Sequence, residues 1–477
     1  MTLLTKSKYL TGTQCLRLLW LSDRKLLPEV TIAQKQRFSQ GHEFETYAHK
    51  LFPKGVDLGD LEFNDNIEKT SELIKKKKTI FEAGIQVGDL FLRADVLEFN
   101  KGWNLYEIKA STKQKPQHIP DLAFQKYVLE KAGLKVNKCF VLHLNKEYIK
   151  KGKINPKKLC EIEEVTEKVN LVEDIDKNCK LFLKVMNSNK EPSICISQNC
   201  NKPYACAVKD ECWSTLPKNN VLLLTNWRLY WKLFADGIVS LKDMPKDTKL
   251  NAKDKVILEA TLKNKVIISK EEIKKFLKSL KYPLCHLDFE TFDTAVPMFD
   301  KSRPYQKMPF QYSVHIQPKK GEVLHYEFLA DGKKDPRPAL LKSLKKHTKG
   351  SGSVIVFNKS FEIGVLKKLL EDFPKEKWIT KVISRIIDLA DVFKNFYYYN
   401  PSQKGSYSIK KILPAVTGES YSALEIANGG DASALYFYSH VLKEIDGKKE
   451  IRENLLKYCC LDTEGMVWIV EEMKKLI

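Results

Sequence analysis

Asp95, Glu107 and Lys109 are the residues whose types and spacing first suggest chemistry. They lie in the stretch G-D-L-F-L-R-A-D-V-L-E-F-N-K-G-W-N-L-Y-E-I-K-A-S-T, Gly88 to Thr112. Asn100-Lys101-Gly102 reads as a tight turn between two strands. Asp95 and Glu107 are equally distant from Lys101, so a hairpin closing there without a bulge sets the two carboxylates opposite each other. Lys109 shares a strand face with Glu107, because side chains alternate along a strand. Two carboxylates and a lysine that converge can seat Mg²⁺ or Mn²⁺, hard ions that take oxygen ligands and can make hydroxide from bound water. The lysine would orient that water or meet phosphate charge. An E-x-K tripeptide alone is ordinarily a surface ion pair in a lysine-rich chain; the opposed Asp and the elements around it reverse that reading.

The elements around the hairpin extend the pattern. Gln36 to Phe52 reads as a helix on which His42 and Glu45, three apart, share a face. D-L-A-F-Q-K-Y-V-L-E-K-A-G-L reads as a helix ending near Gly133, and V-N-K-C-F-V-L-H-L-N as a further strand. Asp in A-D-V-L followed by Y-E-I-K-A-S-T resembles the PD-(D/E)xK nuclease fold, in its RecB-like branch. That resemblance implies metal ligands at Asp95 and Glu107, catalytic Lys109, and a further ligand from Glu45 or His42. It also matches Gln125 and Tyr127 to the Gln-Tyr signature that follows the catalytic lysine.

Cys200, Cys206 and Cys212 stand at equal intervals in N-C-N-K-P-Y-A-C-A-V-K-D-E-C-W, with Cys195 just before. Thiolates this dense hold zinc or an iron–sulfur cluster. The fourth ligand is either Cys195, giving a local zinc knuckle, or Cys15 in T-Q-C-L-R-L-L-W-L, far back in the chain. The second arrangement resembles the iron staple of CRISPR-associated and AddAB-type RecB nucleases. It implies that Cys15, Cys200, Cys206 and Cys212 tie the domain closed around a [4Fe–4S] cluster, with Zn²⁺ as the alternative.

A second constellation begins at K-Y-P-L-C-H-L-D-F-E-T-F-D. Leu284 to Glu290 reads as a strand with Asp288 and Glu290 on one face. F-Q-Y-S-V-H-I and L-H-Y-E-F-L-A follow as strands of a meander. V-I-V-F-N-K-S-F-E is a buried strand running into a helix with Glu362, and L-L-K-Y-C-C-L-D-T places Tyr458 and Asp462 one helical turn apart. These pieces resemble, in order, the motifs of DEDD exonucleases of the RNase H-like fold, tyrosine subtype, with Glu362 where Asp is usual. Two-metal phosphodiester hydrolysis needs several carboxylates around ions about 4 Å apart and a group that places the water. The resemblance assigns Asp288, Glu290, Glu362 and Asp462 as ligands and Tyr458 as the water-orienting group. Asp388 is a spare acid, read as a helix-start or substrate-side residue. In Y-Y-Y-N-P-S-Q-K-G-S-Y-S-I-K-K, Tyr407, Lys410 and Lys411 mix aromatic faces for bases with ammoniums for phosphates; core tyrosines beside a solvated lysine turn are the plain alternative.

Composition sets the frame. The chain has 477 residues, 43% hydrophobic and 10% aromatic, enough for several packed cores. Its 81 Lys+Arg against 60 Asp+Glu give a formal charge of +21, which favours polyanions, although lysine bias alone produces the same excess. The longest apolar runs fall short of a membrane span and the first residues lack a signal-peptide pattern, so the expected location is cytoplasmic, with cysteines as thiols or metal ligands rather than disulfides. The expected architecture is α/β in three parts: a PD-(D/E)xK restriction-endonuclease-like domain over residues 1–216, a helical bridge over 217–280, and an RNase H-like (DnaQ-type) domain over 281–477. The whole order resembles a bacterial family that joins the two nuclease domains. It implies a Mg²⁺- or Mn²⁺-dependent nuclease on DNA strands or ends. The rivals are an RNA-trimming exonuclease and a nucleic-acid-binding scaffold whose sites have decayed. Protein partners are not legible.

Overall fold

A computed structural model describes residues 2–477, a mixed α/β chain that divides into two units. The first takes residues Met1–Val30, Gln34–Thr215 and Thr294–Gln306; the second takes Thr31–Ala33, Leu216–Asp293 and Lys307–Ile477. No helix among the described residues is long and apolar enough to cross a membrane.

The first unit is built on seven strands: β1 (Leu4–Thr5), β2 (Val56–Asp57), β3 (Ile80–Val87), β4 (Leu90–Phe99), β5 (Trp103–Lys109), β6 (Val136–Leu144) and β7 (Cys160–Glu164). Their order is β2-β3-β4-β5-β6-β7, with β1 lying parallel to the start of β4. The β4–β5 register, Phe99↔Trp103 to Val96↔Tyr106, centres the turn on Lys101, whose φ of +56° is the left-handed turn conformation. Continuing that register one step puts Asp95 across from Glu107, as the unbulged hairpin requires. Alternation then supplies two cores. On one face Leu92, Ala94, Leu105 and Val141 meet the helices His118–Lys131, Lys6–Gln14 and Ile175–Met186, with Tyr9 stacked on Phe124 at 4.7 Å. On the other, Phe81, Val96, Tyr106 and Ile108 pack with Phe44 and Ala48 of the helix Ile32–His49.

The second unit holds β8 (Ile267–Ile268), β9 (Leu284–Phe292), β10 (Met308–Gln317), β11 (Leu324–Leu329), β12 (Val354–Val356), β13 (Ile386–Asp388) and β14 (Tyr398–Tyr399). Five of them form one sheet in the order β11-β10-β9-β12-β13. The first three pair antiparallel, and β12 lies parallel to both β9 and β13. Cys285, Leu287 and Phe289 point into an apolar core shared with the helices Arg337–His347 and Lys359–Asp372. The alternate residues, His286, Asp288 and Glu290, therefore face the other side, where the helix Lys448–Lys475 lies: Gln311, across from Glu290, donates to the Leu455 carbonyl at 2.8 Å.

Residues 217–280, expected as a separate bridge, fall inside the second unit. Leu224, Leu233, Ile257 and Ala260 share a core with Tyr399, and β8 pairs with β14. Their apolar faces are closed by residues more than a hundred positions later, which no local pattern announces.

Candidate active sites

The first cluster gathers where β3, β4 and β5 meet two helices. Asp95 accepts from the Ile108 amide through Oδ2 at 2.7 Å. Its Oδ1 accepts from the Lys6 ammonium at 3.0 Å, and the same nitrogen reaches Glu107 Oε1 and Oε2 at 3.0 and 3.1 Å. Lys6 arrives because Leu4 and Thr5 pair with Leu90 and Phe91, and Thr5 caps the helix that Lys6 begins. Lys109 donates to Glu107 and, at 2.8 Å, to Asp121 of the helix His118–Lys131. Gln125, one turn on, donates to Glu107 and to Asp121. Tyr127 leaves the cluster: its hydroxyl donates to Asp176.

Charge decides how these groups behave. Burial, then the Glu107 carboxylate, push Asp95 up to about 7. Burial would raise Glu107 too, but the Lys109 and Lys6 ammoniums hold it below the usual carboxylate range. Lys109 is desolvated, yet Glu107 and Asp121 outweigh that and raise it, so it acts as a fixed cation rather than as a base.

A third carboxylate lies beside Asp95 that sequence reasoning passed over. Glu45, Glu82 and Asp95 each offer an oxygen, all within 4.8 Å of one another. Glu82 sits in β3 between the pairs Phe81↔Val96 and Ala83↔Ala94, whose constant register sets it across from Asp95, with φ at +53°. A left-handed non-glycine inside a strand costs about 1–2 kcal/mol. Burial, then Glu45, push Glu82 up to about 7. A lone acid in the apolar run I-F-E-A-G-I was its only trace in the sequence. Lys6 and Asp121 left none.

His42 does not join the site. Its side chain is 82% exposed and only brushes Glu45, 3.5 Å away. The helix turns Phe44 and Ala48 inward, which leaves His42 on the outer face. His49 lies closer in, stacked on Phe81 at 4.0 Å and 3.9 Å from Glu45.

The cysteines gather at the other end of the same unit. Cys15 stands between the helices Lys6–Gln14 and Leu16–Asp23. Gln14 donates to the carbonyls of Asn199 and Tyr204 at 2.8 and 2.9 Å, fastening the early segment to the late one. Cys15, Cys200 and Cys212 all act electrostatically on the Cys206 thiol, which burial raises most. Buried Arg17 donates to the Cys212 sulfur at 3.1 Å and pairs with Glu191 and Glu211. Cys195 is exposed, and its carbonyl rather than its thiol faces Cys200. Among the described residues, the four sulfurs are not one of the donor sets within 4.8 Å of each other.

The second acidic cluster belongs to the second unit. Asp288 and Glu290 on β9 and Asp462 on the helix Lys448–Lys475 bring one oxygen each within 4.8 Å. They line a cleft of ≈ 250 Å³ with Glu362, Lys410 and Tyr458. Burial first, and then neighbouring carboxylates, push Asp288 and Glu290 well up. Asp462 rises to about 6 by burial, opposed by the Tyr421 hydroxyl bonded to it and by Lys410. Lys410 Nζ lies 5.1 Å over the Tyr458 ring and 5.7 Å over Tyr421. Glu362 stands in the first turn of its helix, 2% exposed, with Oε2 lacking a hydrogen-bond partner among the described residues. Burial, with Asp388 and Asp462 adding to it, pushes Glu362 up to about 8. Asp388 is tied down by the Ala390 amide and Lys394, a helix-start role. Tyr407 and Lys411 are exposed and outside the cleft lining, with Lys394 5.7 Å over the Tyr407 ring.

Both acidic clusters carry the donor chemistry of a hard divalent ion: carboxylate oxygens, desolvated and mutually repelling. In the first, an ammonium already stands among them. In the second, Lys410 is the cation that acts on Glu290 and Asp462.

Comparison with known proteins gives two kinds of match. A family model described as "Domain of unknown function (DUF2779)" matches residues 285–408, which includes Asp288, Glu290 and Glu362 but stops before Lys410 and Asp462. The chain is similar to "Uncharacterized protein UU173" of Ureaplasma parvum, 27% identical over 240 residues, covering 45% of this chain and 34% of that protein. It is also similar to "Uncharacterized protein MG366 homolog" of Mycoplasma pneumoniae, 26% identical over 229 residues, covering 43% and 34%. The chain spans about a third of the length of the curated relatives it matches.

Proposed function

We propose that the protein is a metal-dependent nuclease acting on DNA single strands or ends, with its working site in the second unit. The observation that carries this reading is the convergence of Asp288, Glu290 and Asp462 in a cleft that also presents Tyr458 and Lys410. Desolvated acids from two distant elements repel one another, and packing alone gives no reason to assemble them. Asp288, Glu290 and Asp462 would hold Mg²⁺ or Mn²⁺, with Glu362 as the remaining acid. Bound ions would polarise the phosphate and lower the pKa of a water molecule. The chain's own groups do the rest. Tyr458 holds the water in line, and Lys410 meets the phosphate charge. The meander β9–β10–β11 and the helix carrying Tyr458 and Asp462 support an RNase H-like (DnaQ-type) exonuclease domain.

The first unit supports a RecB-like domain through Asp95, Glu107, Lys109 and Gln125 on the expected elements. Glu45, Glu82 and Asp95 are its candidate ligands. The Lys6 ammonium between Asp95 and Glu107 favours a second reading of this unit alone, as a nucleic-acid grip whose site has lost its ion. Cys15, Cys200, Cys206 and Cys212 fit a [4Fe–4S] cluster. A single zinc with bonds of about 2.3 Å would draw its thiolates to about 3.8 Å of each other, tighter than this spread.

The test is cleavage of end-labelled single-stranded deoxy- and ribo-oligonucleotides by the full chain with Mn²⁺. Deoxy products that vanish in Asp288→Ala are expected. Cleavage confined to the ribo-oligonucleotide would make the protein an RNase. Tight, salt-sensitive binding without products would make it a scaffold.

A further inference from the structure

A further donor cluster lies outside both acidic sites and the cysteine set. A ring nitrogen of His315 on β10, one of His325 on β11, and the Cys460 thiol on the helix Lys448–Lys475 all lie within 4.8 Å of one another. The two rings are stacked, centroids 4.3 Å apart and 20° from parallel. Stacking alone would need no ion, but here a thiol joins the rings and a hydroxyl pair holds them. Ser313 Oγ lies 2.9 Å from His325 Nε2 and 2.6 Å from Thr463 Oγ1, and Thr463 Oγ1 lies 2.8 Å from His315 Nδ1.

We propose that His315, His325 and Cys460 form a further metal site, taking a borderline-soft divalent ion such as Zn²⁺, with Glu327 or Glu464 completing it. Imidazole and thiolate select zinc over the magnesium or manganese of the acidic clefts. Each ring is gripped at one nitrogen by a hydroxyl, the support that ligating histidines ordinarily have, and the other nitrogen would take the ion. Glu327 is two residues from His325 on the same strand face, Glu464 one helical turn from Cys460, and both lie within electrostatic reach of that thiol. The ion would pin the exposed edge strand β11 to the helix that carries Tyr458 and Asp462.

The experiment is zinc stoichiometry on the full chain, stripped of metal and reloaded, for wild type, His325→Ala and Cys460→Ser. His325 is exposed, so its removal leaves the fold intact. Each variant should bind one equivalent fewer than wild type. With Co²⁺ instead, Cys460→Ser should lose a thiolate-to-cobalt absorbance that the control Cys195→Ser keeps. Ser313→Ala should weaken this equivalent about 10–100-fold. Unchanged stoichiometry in either His325→Ala or Cys460→Ser would overturn the site. Nucleic acid is absent from the measurement, so this failure would leave the cleavage reading untouched.

Discussion

Lys6 holds both oxygens of Glu107, its ammonium nitrogen 3.0 Å from Oε1 and 3.1 Å from Oε2. The same nitrogen bonds Asp95, so a side chain from the start of the chain provides the positive charge that a hairpin of opposed carboxylates demands. An ion at this site would compete with this ammonium for the same oxygens.

Lys6→Met should therefore leave Asp95 without its ammonium and Glu107 with Lys109 as its remaining cation. Without metal the variant should lose about 3–5 kcal/mol of stability, the cost of breaking a buried pair. Mn²⁺ should restore most of it. Thermal melts of wild type and variant, with chelator and with Mn²⁺, check this. A variant that is equally unstable in both conditions would show that no ion can take the place of the ammonium.

Stability should fall as pH rises in the metal-free protein. A carboxyl raised in the folded state keeps a proton that the unfolded chain has already released, so deprotonation favours unfolding. For Glu362 the contribution is fully present below about 4.5, the unfolded value, and is lost as pH rises through about 8. Chemical denaturation across that window should show a slope of up to about 1.4 kcal/mol per pH unit from this group alone. Glu362→Gln should flatten it. A slope identical in the variant would mean that Glu362 is ionised in the fold.

Tyr458→Phe removes the hydroxyl that faces the cleft while keeping the ring under Lys410. Cleavage should fall about 100-fold, in the range of a lost water-positioning group, with oligonucleotide binding nearly unchanged. Lys410→Ala should do the reverse, weakening binding and its salt dependence. Single-turnover rates and filter binding separate the two. Equal effects of both variants on binding would remove Tyr458 from the chemistry.

Cys15→Ser should abolish bound iron and the visible absorbance of anaerobically purified protein, whereas Cys195→Ser should keep both. Arg17→Met should leave the cluster bound but more labile, since it removes the donor to the Cys212 sulfur. Iron and zinc analysis of the three variants decides the matter; stoichiometric zinc in wild type would replace the cluster by a zinc site.

Local pattern carried far in this chain. Alternation placed Asp288 with Glu290 and Glu107 with Lys109, the turn residues centred the hairpin on Lys101, and helical spacing set Tyr458 over Asp462. Periods of two and 3.6 residues are properties of the backbone, so they are legible wherever an element is continuous. Tertiary structure alone decided which distant groups share a space. Lys6 reaches Asp95 through the pairing of β1 with β4, and Glu82 enters from β3, across from Asp95. Asp121 enters from across the cluster, and His42 is turned outward by Phe44 and Ala48. Residues 217–280 joined the second unit because Tyr399 closes their core. Each of these outcomes is settled by packing and charge between segments far apart in the chain, and such contacts have no period to read.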